Sequence, residues 1–101
     1  MSMTLTVTRN VSPRIRGFLA SSMLEIGPGV YSAPRLSPAV RERIWNVLED
    51  WFLAEGDASV VMVWADPSMP GGQSLRVLGL PRVDVVKVDG LLVARREKRE
   101  L

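Results

Sequence analysis

From Met3 to Thr8 the chain alternates, with Met3, Leu5 and Val7 set against Thr4, Thr6 and Thr8, the period of two that predicts a strand with one apolar face. The period then lengthens. Ile15, Leu19, Met23 and Ile26 recur at helical spacing and predict a helix from Pro13 to about Ile26. Ser12 is its N-cap, Pro13 suits the first position, and Gly27-Pro28-Gly29 stops it. Val30 to Ala33 reads as a short strand ended by Pro34. Ser37 and Pro38 repeat the start signal, and Val40, Ile44, Val47, Leu48 and Trp51, widened by Trp45 and Phe52, predict a second helix to about Glu55. Gly56 is expected to end it in the left-handed conformation.

Ala58 to Ala65 is the most continuous apolar run, which predicts a central strand buried on both faces or at a subunit contact. Asp66 to Gln73 is rich in turn residues and reads as a mobile hairpin tip before the strand Leu75 to Leu78. Gly79-Leu80-Pro81-Arg82 breaks the pattern. Val83–Val88 and Leu91–Ala94 then flank Asp89-Gly90, a strong tight-hairpin signal. Residues 1–94 form one domain in this reading, and 95–101 form a charged tail.

This element order predicts an α+β fold, a ferredoxin-like sandwich of two helices on one face of a mainly antiparallel sheet. One part fits badly: the pattern wants a hairpin between the helices, and Gly29 to Leu36 has room for one bent strand. The second face of such a sheet must also be covered. A homodimer is therefore expected, with the C-terminal hairpin extending or exchanging into a partner.

Composition narrows the chemistry. The chain has 101 residues, nearly half of them hydrophobic, which allows one core and argues against disorder. Cysteine and histidine are absent, which removes disulfides, thiolates, imidazole catalysis and the commonest metal ligands. No signal-peptide pattern or bilayer-length apolar run is present, so the expected location is the cytoplasm.

The net charge is only +2, but the basic residues bunch, and a focused patch attracts a polyanion even on a near-neutral protein. Arg14 and Arg16 fall in the first turn of the leading helix, and Arg9 and Asn10 lie just before its cap. Cations there oppose the helix dipole at a cost of about 0.3–1 kcal/mol each. A helix N-terminus with guanidinium groups around it suits phosphate oxygens, so one reading is a phosphate-backbone contact. The other is a set of solvated surface arginines.

The motifs Val7-Thr8-Arg9-Asn10-Val11-Ser12-Pro13-Arg14-Ile15-Arg16-Gly17, Gly29-Val30-Tyr31, Ile44-Trp45, Val60-Val61-Met62-Val63-Trp64-Ala65, Gly79-Leu80-Pro81-Arg82 and Asp89-Gly90-Leu91, in this order, resemble the CRISPR-associated Cas-two proteins, subtype I-E. The resemblance runs from Met1 to about Val93. It implies a homodimeric scaffold in spacer acquisition that holds duplex pre-spacer DNA by its phosphates and joins the CRISPR integrase through its C-terminal strands. The family's phosphate-binding arginines match Arg14, Arg16 and Arg82, and Arg9 and Asn10 lie beside them.

The family is also described as a Mg²⁺-dependent endonuclease of RNA or DNA, which needs an acidic residue at the end of the first strand. Arg9 stands at that position, and a cation cannot ligate a metal. With Arg9 there, no catalytic residue, metal ligand or cofactor is expected. The alternative is a surviving Mg²⁺ nuclease using Asn10, Asp66 or Asp89. A regulatory or small-ligand domain of the same fold class is the third reading.

Overall fold

The computed structural model describes residues 2–81 and 83–96. Its elements are β1 (Ser2–Arg9), α1 (Pro13–Ser22), β2 (Leu24–Gly27), β3 (Val30–Leu36), α2 (Pro38–Phe52), β4 (Ser59–Ala65), a 3₁₀ turn (Pro70–Gly72), β5 (Gln73–Leu78), β6 (Val83–Val88) and β7 (Leu91–Arg96). The main sheet has the order β2-β3-β1-β4-β5, with every neighbouring pair antiparallel, and β6-β7 forms a separate two-stranded sheet. Both helices cover one face of the main sheet, so the fold is the α+β, ferredoxin-like sandwich. β5 adds to its β4 edge.

Both helix starts are as the residues predict. Ile15 N donates to the Ser12 hydroxyl at 3.4 Å and Val40 N to the Ser37 hydroxyl at 3.2 Å, with proline at the first position each time. The ends differ. α1 stops at Ser22 rather than Ile26, where the Ser21 and Ser22 hydroxyls donate to the Phe18 carbonyl at 2.7 and 3.0 Å and compete with the helical bonds. Leu24 and Ile26 follow a period of two from there, and both are exposed. The strand they form supplies the missing hairpin between the helices. α2 likewise stops at Phe52. Its last residues wind on as turns, Ala54 N donating to Trp51 O and Glu55 N to Phe52 O, and Gly56 does not take the expected positive φ.

The core joins Ile15, Leu19 and Met23 of α1 to Ile44, Trp45 and Leu48 of α2 across Tyr31, Val60 and Met62 of the sheet. β1 brings threonine to this layer. Thr4 and Thr6 are 0% exposed, whereas Met3 and Val7 point to the other face and are 55% and 39% exposed. The face away from the helices is consequently apolar. The register sets Leu5 opposite Val63 and Val63 opposite Leu75, and likewise Val7 opposite Val61 and Val61 opposite Val77. β4 is interior, as expected, with Val60 and Met62 buried among the helices and Val61 and Val63 half-buried on the opposite side.

The Asp66–Gln73 segment is closed by bonds of its own. Asp66 N donates to Gly72 O at 2.8 Å, and the Asp66 carboxylate accepts from Ser68 N, the Ser68 hydroxyl and the Ser74 hydroxyl. The Asp89-Gly90 turn forms as predicted, with both residues at positive φ. β7 runs two residues beyond Ala94, and Arg95 pairs with Asp84 at 3.5 Å. The rest of the expected tail, 97–101, lies outside the described residues, as does Arg82. Among the described residues no helix is long and apolar enough to cross a membrane.

Candidate nucleic-acid interface

β1 delivers Arg9 as its last paired residue, opposite Ser59, and the chain turns through Asn10 at φ 57°, a conformation asparagine tolerates. The segment after α2 holds this turn from outside. The Arg9 guanidinium meets Asp57 Oδ1 at 3.2 Å, Asn10 Nδ2 donates to the Asp57 carbonyl at 2.6 Å, and Ser12 N donates to Glu55 Oε1 at 2.7 Å. Glu55 thus places a negative charge at the N-terminus of α1. A carboxylate there is worth about 0.3–1 kcal/mol and offsets the misplaced cations beside it.

Arg9, Asn10 and Arg16 share the lining of an open depression of about 520 Å³ with Thr8, Pro28 and Gly29. Arg14 does not join them. Residues two apart on a helix point to different sides, and Arg14 leans instead over the Trp51 ring of α2, its guanidinium carbon 3.7 Å from the centroid. Phe18 meets the same ring edge-on at 5.3 Å. Behind the depression, Tyr31 is wholly buried, and its phenol is raised above its ordinary pKa by that burial first and by the Glu25 carboxylate second, with Arg16 opposing. Glu55, Asp57 and Trp51 are the members that reading the sequence missed. Trp51 packs half-buried against the core, as the helical stripe predicts, and what the stripe does not reveal is Arg14 over its ring, while the two acids look like the loose end of a helix.

The residues of the nuclease alternative do not gather. Asp89 serves its turn, and Asp66 is engaged by Ser68 and Ser74, which hold its carboxyl below the usual range, the Ser68 hydroxyl contributing most. Asn10 is tied to the Asp57 backbone. Among the described residues no three acidic, histidine or cysteine side chains are grouped to hold a metal ion. At the position where the resemblance wants a carboxylate there is the Arg9 guanidinium, which repels Mg²⁺. Residues 3–93 match the model of a family described as CRISPR-associated protein (Cas_Cas2CT1978).

Proposed function

The chain belongs to this CRISPR-associated family and has a role in CRISPR defence, and from that premise we propose that it is a homodimeric, non-catalytic scaffold of spacer acquisition, of the I-E kind, that binds duplex DNA through its phosphates. The observation that carries this reading is the convergence of Arg9, Asn10 and Arg16 on one open depression beside the exposed first turn of α1. Such a surface offers guanidinium forks to phosphate oxygens and little to base edges. Arg14, on the neighbouring side of the same turn, widens the strip a duplex can touch, and Arg82 is assigned to it by the resemblance.

The bare apolar face of the sheet supports pairing with a second copy. Leu5, Val7, Val61 and Val63 lie there at neighbouring register positions, and covering them removes apolar area from water at about 25 cal/mol per Å². Two copies double the number of phosphate contacts. β7 exposes Leu91, Leu92 and Val93, and among the described residues it is paired along one edge, by β6, which suits sheet extension at the other by the CRISPR integrase in the cytoplasm.

An end-labelled DNA duplex incubated with the protein and Mg²⁺ tests both halves of the reading. The expected result is a retarded complex from which full-length DNA is recovered. Shortened DNA, lost when Asp66 or Asp89 is replaced, would establish the nuclease instead; no retardation at low salt would remove the DNA assignment.

A further inference from the structure

We propose that Asp57 is an internal stand-in for phosphate: its carboxylate occupies Arg9 in the free protein and must be displaced before Arg9 can reach DNA. This rests on the DNA-binding reading above and adds what limits it. The pair is open to exchange. The Arg9 and Asp57 side chains are 60% and 87% exposed, and they meet through one guanidinium nitrogen and one carboxylate oxygen at 3.2 Å, not as a two-pronged fork. Exposed single-contact ion pairs are weak, whereas a phosphate can engage a guanidinium through two oxygens.

The Asp57 carboxylate is also not what holds the turn together. Asn10 is bound to the Asp57 backbone carbonyl, and Ser12 N is capped by Glu55, so both ties persist when the Asp57 side chain changes. Among the described residues the carboxylate's one partner is Arg9. A polyanion that reaches Arg9 alone exchanges one ion pair for another and gains little. A duplex that also reaches Arg16 and Arg14 is held by cations that have no carboxylate to release among the described residues. Asp57 therefore lowers affinity for short or poorly placed polyanions more than for a duplex spanning the strip.

The test compares the full chain, Asp57→Asn, Arg9→Ala and the double variant, with a blunt DNA duplex as probe over a range of salt. Asp57→Asn is expected to bind about two- to fivefold tighter at low salt. Its log–log salt slope is expected to match that of the unaltered chain, because Arg9 meets a phosphate in both complexes, whereas Arg9→Ala should flatten the slope by about 0.9 for each Arg9 lost. In the Arg9→Ala background the same change is expected to do nothing. An equal gain in that background would show a mere change of net charge and overturn the proposal, as would unchanged affinity in Asp57→Asn when the unaltered chain binds. Binding by none of the four proteins would overturn the DNA-binding reading together with it.

Discussion

Replacing Arg14 and Arg16 together by alanine is expected to weaken duplex binding by about tenfold to a hundredfold at moderate salt, equally for every DNA sequence. In a dimer the change removes four guanidinium groups from the strip, and each phosphate left without its arginine should flatten the log–log salt dependence by about 0.9. The single variants should divide the loss unequally. Arg16 lines the depression with Arg9 and Asn10, whereas Arg14 is partly engaged by Trp51. Arg16→Ala is therefore expected to cost more binding and almost no stability. Arg14→Ala also forfeits the cation–π interaction, about 0.5–1 kcal/mol at an exposed site. Titration of a labelled duplex, with denaturant unfolding alongside, separates the two effects; undiminished affinity in the double variant would take the phosphates away from this turn.

Gly79→Ala is expected to be the most damaging single methyl in the fold. Gly79 has φ +77°, and an added Cβ would run into the Ala58 carbonyl oxygen and stand 2.8 Å from the Phe52 ring. Left-handed backbone costs a residue with a Cβ about 1–2 kcal/mol, and forcing volume into packed surroundings about 1–3 kcal/mol more. The obstacle is backbone, so a side-chain swing cannot relieve it. The expected loss is about 2–5 kcal/mol in denaturant unfolding. Gly90 provides the contrast: φ is +80°, but among the described residues nothing lies within 4 Å of a Cβ there, so Gly90→Ala should show the backbone cost alone. Equal losses at the two glycines would mean that the Ala58 carbonyl moves aside and the close approach is not a constraint. The site is involved as well, since Ala58 adjoins Asp57, which holds Asn10.

What could be read from the chain was local. Ser-Pro starts a helix through the hydroxyl's reach to an N–H three residues on, and Asp-Gly makes a tight turn through two positive φ values, so both signals are complete within a few residues. The end of α1 was not legible because Ile26 fits two periods at once. Met23 and Ile26 continue a helical stripe, Leu24 and Ile26 a strand, and the serines that decide between them act through side-chain bonds to a carbonyl. Nor does alternation in β1 say which face meets the helices. Threonine fills the core because its branched shape packs beside Tyr31 and Met62, leaving the apolar side chains for the other face. Arg9, Arg14 and Arg16 stand out by type and position. The acids that hold the turn do not, because Asp57 reaches Arg9 and Glu55 reaches the Ser12 N–H across separations of 48 and 43 residues that no local pattern encodes.

The central claim is that the protein grips duplex DNA by its phosphates and reads no bases. Its most direct measurement is the affinity for two duplexes of equal length and unrelated sequence, each titrated across a range of salt. The prediction is one common line for both duplexes, falling steeply as log K against log salt. Affinity that differs between the sequences, or that hardly changes with salt, would contradict it.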